Sequence, residues 1–163
     1  MRIIFVIIFL FSILLSNAQC SDLTKLRETY IISHNDIQKC KELHSLSKNC
    51  NPKLDPVEFS YNIISNLMEC NFIFNPLIKY KIFKESTQQL DGMIHLNPQH
   101  TEIRFLRYLV QLNSPTFLGY NTNLDDDYKF IIDNIYSENE DLKNFILPIL
   151  NNLDNARASN TSK

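Results

Sequence analysis

Side chains able to bind or react are densest between Glu102 and Tyr120, where arginines, tyrosines and amides alternate with apolar residues. These groups can line a concave surface that binds a peptide or a small anion, because arginine offers several donors in a fixed fork. The alternative is architectural: arginine stems cover apolar surface, and amides satisfy carbonyls at helix ends. We expect the architectural role, with Phe117 and Leu118 plugging the following hairpin. The candidate binding residues are Arg104, Arg107, Tyr108, Gln111, Asn113 and Tyr120.

The scarcity of glycine excludes several classes of enzyme site. The chain has two glycines, Gly92 and Gly119, whereas a phosphate-binding loop or a dinucleotide fingerprint needs several at close spacing. The serine elbow of many hydrolases needs two glycines around one serine. No spacing of serine, cysteine and histidine indicates a nucleophilic triad. The sequence therefore predicts no catalytic residue and no cofactor.

Metal-ligating residue types are present, but they do not form complete sets. Cys40 and His44 lie four residues apart and would share a helical face, yet no further thiol or carboxylate follows at matching spacing. His95 and His100 flank a turn and are expected at or near the surface. The run Asp125–Asp127 lacks the central glycine and final glutamate of an EF-hand loop. We predict that it marks a helix N-terminus, where the dipole favours acidic residues, and we predict no metal site.

Four cysteines, an even number, permit two disulfides with three connectivities. The absence of a Cys-x-x-Cys pair argues against thiol-redox chemistry and zinc ribbons. If the first two helices form a hairpin that turns near His34, Cys20 lies opposite residue 48, and Cys20 and Cys50 can meet. Cys40 and Cys70 fall on helical faces and are expected to act as small buried apolar residues.

Residues 1–18 have the layout of a secretory signal. Met1-Arg2 is a basic start, Ile3–Leu15 is an apolar run, and Ser16–Ala18 supplies small residues before cleavage. The run is short for a membrane span, which needs about 20 residues. We predict cleavage after Ala18 and a periplasmic or secreted protein. Lipid anchoring through Cys20 is less favoured, because Gln19 fits the position before a lipidated cysteine poorly.

The remaining residues predict one domain over 19–155 and a polar, frayed tail over 156–163. A net charge of −2 argues against nucleic acid as a partner, because such partners select basic surfaces. No second apolar run approaches the length of a membrane span. The partner that remains is another envelope protein or a peptide, and the oligomeric state is left open.

Apolar residues recur at helical spacing after residue 22 and predict seven helices. The first four are expected over about 22–33, 35–47, 56–71 and 76–95. A fifth is expected from Asn97-Pro98 to Asn113, and Asn123 and Ser137 are expected to cap the sixth and seventh. Pro148 is expected to kink or split the seventh helix. The fold class is all-α: antiparallel hairpins forming a tetratricopeptide-like α-solenoid fragment.

The segment Gln89–Leu112, with Leu96-Asn97-Pro98 between two amphipathic helices, resembles the junction between degenerate tetratricopeptide-type repeats. Residues 56–135 also resemble small exported helical proteins of Bacteroidetes, in segments such as Phe74-Asn75-Pro76, Gln111–Pro115 and Phe117–Tyr120. This resemblance implies export and an all-α fold, and it assigns no catalytic residue.

Together these observations predict a non-enzymatic exported helical protein that acts in protein interaction or envelope assembly. The alternative is an enzyme, or an enzyme accessory subunit, that uses the Arg104–Tyr120 region. A purely structural envelope protein is the third hypothesis. A deep polar pocket with converging titratable groups would favour the enzyme, and a shallow groove would favour binding.

Overall fold

The computed structural model describes residues 20–161, and within this range it contains helices and no β-strand. The all-α prediction is therefore confirmed for that range. The leader predicted over residues 1–18 lies outside the described residues. The seven α-helices of residues 20–161 are α1 (Leu23–Ile32), α2 (Ile37–Ser47), α3 (Pro56–Glu69), α4 (Pro76–Leu96), α5 (Thr101–Asn113), α6 (Leu124–Asn134) and α7 (Glu140–Thr161). Short 3₁₀ turns occupy Cys70–Phe72, Thr116–Leu118 and Ile135–Ser137.

Successive helices from α1 to α6 pack against one another across short connections, and α3 also contacts α1 and α5. The C-terminal helix α7 then packs back against α1, the first helix of the described range. The ring of Phe145 on α7 lies 6.3 Å from that of Tyr30 on α1 and 5.7 Å from that of Phe105 on α5. A solenoid fragment, in which each repeat contacts only its neighbours, does not need such a return contact.

The apolar faces expected from helical periodicity form one continuous core. Helix α5 contributes most to it, because apolar residues occupy two adjacent stripes of that helix. The first half of α4 is different, since Ile78, which helical spacing places on one face with Leu90 and Ile94, is 50 % exposed. The fully buried apolar side chains include Leu26, Leu43, Tyr61, Ile63, Leu90, Ile103, Phe105, Leu106, Tyr108, Ile131, Ile135 and Ile146.

Two of the three predicted asparagine- or aspartate-proline helix starts are confirmed. Pro56 and Pro76 each occupy the first turn of a helix, and the Asn75 carboxamide oxygen accepts hydrogen bonds from two backbone N–H groups of α4. The start predicted at Asn97-Pro98 is wrong. Asn97 instead ends α4, where its side chain donates to the Met93 carbonyl, and α5 begins only at Thr101. The Pro98 carbonyl accepts a hydrogen bond from Arg104, so the residues between α4 and α5 form a tight connection.

The start of α7 also differs from the prediction. The side chain of Asn139, not Ser137, accepts the hydrogen bond from the Leu142 N–H. Ser137 belongs to the preceding 3₁₀ turn. Helix α7 continues through Pro148, so the expected split does not occur, and it remains helical to Thr161 through most of the segment expected to be a frayed tail.

A disulfide joins Cys20 to Cys50, with the two Cα atoms 4.7 Å apart. It ties the segment before α1 to the segment after α2, a pairing that the predicted hairpin allows. Cys40 and Cys70 are free and buried. Among residues 20–161, none of the helices combines the length and the apolar character that crossing a bilayer requires.

Candidate functional site

Three of the six candidate binding residues converge on one carboxylate of the acidic run that was predicted to mark a helix N-terminus. Asp127, in the first turn of α6, is fully buried. Arg107 donates to its two oxygens from Nε (2.7 Å) and Nη2 (2.8 Å). Arg104 and Gln111 donate to the same carboxylate at 2.9 and 3.0 Å. Three side chains of α5 therefore hold one carboxylate of α6.

Two further residues extend this Asp127 cluster to α4 and to the loop after α5. Arg107 Nη1 lies 3.2 Å from Asp91 Oδ1, and the Tyr120 hydroxyl donates to that same oxygen at 2.9 Å. Burial, followed by the negative charge of Asp91, raises the pKa of Tyr120. Burial lowers the pKa of Arg107, but its hydrogen bond and charge interaction with Asp127 outweigh burial and raise it overall. Both groups therefore stay protonated and act as donors.

A second buried cluster joins α1, α3 and α5. Glu102 is 1 % exposed and accepts hydrogen bonds from Arg27 Nε (2.8 Å), Arg27 Nη2 (2.6 Å) and the Tyr61 hydroxyl (2.8 Å). The Arg27 guanidinium also lies 5.6 Å from the centre of the Phe145 ring of α7. Burial and Glu102 raise the pKa of Tyr61 well above its usual range. Every oxygen of this carboxylate therefore has a donor, as a buried charge requires.

Both clusters have the chemistry of structural ion pairs. Their arginines and tyrosines donate to carboxylates of neighbouring helices, so these donors are already engaged without a substrate. Arg104 also stacks on Phe130 with its guanidinium 4.3 Å from the ring centre. This arrangement supports the architectural interpretation of Arg104, Arg107, Gln111 and Tyr120.

Two of the six candidates lie outside the Asp127 cluster. Tyr108 is fully buried, and its ring lies 5.6 Å from that of Tyr128 and 5.9 Å from the Arg157 guanidinium. Asn113 donates to the Leu109 carbonyl at the end of α5 and also lines a cavity. Asn113 alone among the six borders this cavity.

The cavity is mostly apolar, has a volume of about 500 Å³, and lies between α3, α4 and α5. Its mouth is partly open, and Phe117, expected to plug a hairpin, is instead 85 % exposed in its wall. This volume falls in the range of ligand pockets, about 300–1,000 Å³. The wall residues are Tyr30, His34, Ile64, Leu67, Met68, Cys70, Asn71, Pro76, Lys79, Tyr80, Phe83, Leu109, Val110, Asn113, Ser114, Pro115, Phe117 and Leu118.

The remaining cysteine and histidine residues do not assemble a metal centre within the described range. The Cys40 thiol donates to the Ser33 carbonyl at 3.2 Å, and His44 Nδ1 lies 3.2 Å from the Ser65 hydroxyl. Burial raises the pKa of both the Cys40 and the Cys70 thiol, so neither is activated as a nucleophile.

Sequence analysis missed both buried carboxylates and most of the cavity wall. A signal for Asp127 was present, because it lies three residues after Leu124 and four before Ile131, on the same face as both. Glu102 likewise shares a helical face with Phe105 and Leu106, which lie three and four residues after it. The cavity had no such signal, since its wall combines residues from five separate segments.

Comparison of the chain with known protein families, characterised proteins and solved structures gives no match. The geometry of this chain is therefore what indicates its function. Within that geometry, the ion-pair clusters are filled by their own partners, while the cavity is open.

Proposed function

We propose that this protein is a non-enzymatic, exported binding protein, and that it holds an apolar ligand in the cavity between α3, α4 and α5. The observation that carries the proposal is the cavity itself, a 500 Å³ space with a largely apolar wall and a partly open mouth. The apolar wall of such an open cavity faces water, and moving apolar surface from water into an apolar environment is favourable. Binding an apolar group would bury that surface.

The alternative of an enzyme that uses the Arg104–Tyr120 region receives less support. The polar groups of that region donate hydrogen bonds to Asp91 and Asp127. None of these donors lines the cavity. An active site is expected to combine a pocket with converging titratable groups. Here no residue of the Asp127 cluster or the Glu102 cluster lines the cavity.

Export is part of the proposal, and the disulfide supports it, because such bonds persist in oxidising compartments. The pairing of Cys20 with Cys50 also supports a form without a lipid anchor, since a cysteine in a disulfide has no thiol to lipidate. The tetratricopeptide-like arrangement and the likeness to exported helical proteins of Bacteroidetes stay predictions. The packing of successive helices supports a tetratricopeptide-like arrangement. The contact of α7 with α1 is not a feature of such an arrangement.

Binding of a neutral apolar fluorophore, N-phenyl-1-naphthylamine, tests the proposed ligand site. We expect its emission to rise on addition of the disulfide-bonded protein, with one site per chain. Leu118→Glu places a charge at a half-buried position of the cavity wall and should abolish this rise, because binding of the neutral apolar probe would remove water from that carboxylate. Leu96→Glu is the matched control, since Leu96 is 68 % exposed and lies outside the wall.

If Leu118→Glu disturbs the fold, Val110→Trp offers a second route, because it fills the cavity with apolar volume from a half-buried position. Equal probe binding by Val110→Trp, Leu118→Glu and the unchanged protein would refute the ligand site. So would the absence of binding by all of them.

Protein interaction is the second candidate, favoured by the apolar start of α4. Phe74, Leu77 and Tyr80 are 103 %, 78 % and 54 % exposed, and this segment projects away from the core. Affinity capture of an envelope partner should then be lost with Leu77→Glu. Leu54→Glu is the control, because Leu54 is 79 % exposed but precedes the opposite end of α3. Equal capture of the partner by both variants would show that the exposed start of α4 is not the surface that binds it.

A further inference from the structure

The charges around the cavity differ in sign from those of the chain as a whole. The chain carries 18 acidic and 16 basic residues. The described wall of the cavity contains Lys79 and His34 but neither aspartate nor glutamate. A low-dielectric cavity whose charge has one sign attracts ligands of the opposite sign. The wall is therefore suited to a ligand with an acidic group.

Lys79 is exposed on α4 and makes no ion pair with a described residue, whereas Lys81, two positions on, lies 3.9 Å from Glu85. Lys84 is also without an ion pair among the described residues, but of these two lysines only Lys79 belongs to the cavity wall. The flexible side chain of a lysine in the wall can bring its ammonium to an anion that the ligand carries. Such a charge-assisted bond is stronger than a neutral one.

Tyr30 supplies an independent observation in the same wall. Its side chain is half-buried, and its hydroxyl makes no hydrogen bond within the described part of the chain. Burial raises the pKa of Tyr30, so the hydroxyl remains a potential donor at neutral pH. Tyr30 is not among the residues with a buried polar atom that lacks a partner, so water can reach its hydroxyl. A polar atom of a ligand can replace that water as the partner of the hydroxyl.

The remainder of the wall accepts a flexible chain of methylene groups. Leu67, Met68, Phe83 and Val110 line it from three helices. Methionine adapts to ligands of irregular shape. Each methylene transferred from water to such a wall contributes about 0.8 kcal/mol.

We propose that the ligand is one molecule of a free long-chain carboxylic acid, with its alkyl chain in the cavity and its carboxylate paired with Lys79. This inference rests on the proposed function and adds the chemical class of the ligand. A single ligand molecule is favoured over a lipid bilayer, because the cavity between α3, α4 and α5 has the concave shape that fits one alkyl chain and not a flat membrane surface.

Displacement of N-phenyl-1-naphthylamine by dodecanoate and by dodecanol, which share one alkyl chain, tests the inference. We expect dodecanoate to bind about fivefold to tenfold more weakly to Lys79→Gln than to the unchanged protein, from the loss of one charge-assisted bond. Dodecanol affinity should change by less than about twofold. Lys84→Gln is the matched control, because Lys84 is exposed on the same helix and lies outside the wall.

Each other outcome has a distinct meaning. Equal binding of dodecanoate to Lys79→Gln and Lys84→Gln would overturn the inference but leave an apolar ligand site in place. Displacement of the fluorophore by dodecanol but not by dodecanoate would also overturn the inference and leave an apolar ligand site in place. Failure of the fluorophore and of both competitors to bind would overturn the proposed function as well. Co-sedimentation with phosphatidylglycerol vesicles, without dodecanoate binding, would replace the monomer by a membrane surface and so refute the proposal.

Discussion

Arg107 joins α5 to α6 through two parallel hydrogen bonds to Asp127, of 2.7 and 2.8 Å, and the carboxylate they hold is fully buried. Arg104 and Gln111 complete its coordination. A buried ion pair is costly to break, because the partner left behind keeps its charge without compensation. The cluster therefore determines how α6 is attached.

Removal of this carboxylate should strongly destabilise the fold. We expect Asp127→Ala to lower the free energy of unfolding by about 3–5 kcal/mol, the usual range for removing one partner of a buried pair. Arg104→Ala should cost less, about 1–2 kcal/mol, because Arg107 still holds Asp127. Urea denaturation followed by circular dichroism measures both.

Asp126→Ala is the control for this comparison, since Asp126 is an exposed neighbour in the same helical turn. It should change stability by no more than about 1 kcal/mol, the scale of a surface charge near a helix dipole. Equal effects of Asp126→Ala and Asp127→Ala would contradict the structural role of the cluster.

The two glycines should respond in opposite directions to the same substitution. Gly92 lies inside α4, and a Cβ there would have no atom within 4 Å, so no close approach explains it. Gly92→Ala should therefore stabilise the protein by about 0.5–1 kcal/mol. Gly119 has φ +66° after the second 3₁₀ turn, so Gly119→Ala should destabilise it by about 1–2 kcal/mol. Melting temperatures that move in the same direction would contradict these assignments.

The disulfide should contribute measurably to stability. Cys20 and Cys50 are separated by 30 positions, and closing a loop of that length removes about 3–4 kcal/mol of entropy from the unfolded chain. Reduction, or the Cys20→Ser/Cys50→Ser double variant, should lower the free energy of unfolding by an amount of that order. Alkylation of the unreduced, unfolded protein should modify two thiols, those of Cys40 and Cys70. Four modified thiols would show that the bond does not form.

Alkaline pH should weaken the fold through its buried phenols. The folded pKa values of Tyr30, Tyr61 and Tyr120 are raised, mainly by burial. Below pH about 10 both states keep these protons, so their effect on stability is constant. Above pH about 10 the unfolded chain loses its phenolic protons before the folded chain does. The free energy of unfolding then falls by up to about 1.4 kcal/mol per pH unit for each phenol.

Urea midpoints at pH 9, 10 and 11 check this dependence. Tyr61→Phe should make the loss of stability above pH 10 less steep, because it removes one buried phenol. Tyr136→Phe is the control variant, since Tyr136 is 73 % exposed. Identical slopes for the two variants would contradict the assignment to Tyr61.

Local patterns were sufficient to predict most of the helices. Helix α5 was recognisable because its apolar residues recur at helical spacing, and the start of α4 because Asn75 caps it before Pro76. The same dipeptide signal failed at Asn97-Pro98. There the Asn97 side chain bonds backward to Met93, and that choice depends on how α4 meets α5.

The candidate site was less accessible to prediction, because it depends on tertiary contacts. Arg27 and Glu102 are 75 positions apart, and no local pattern pairs them. The cavity wall combines residues of α3, α4 and α5 with the segment after α5, and no local pattern shows that these segments leave a space between them. Ile78 is 50 % exposed although helical spacing places it on one face with Leu90 and Ile94. Periodicity indicates which residues share a face, but not whether a neighbour covers that face.

Methyl-resolved NMR of the disulfide-bonded protein tests the central claim, that the cavity is the ligand site, most directly. On titration with dodecanoate, we predict saturable shifts for the methyl groups of Ile64, Val110 and Leu118 in the cavity wall. Methyl groups of Ile131 and Leu142, which lie in the core away from the wall, should remain unshifted. Shifts spread evenly over both groups, or no saturable shifts for the wall residues, would contradict the account.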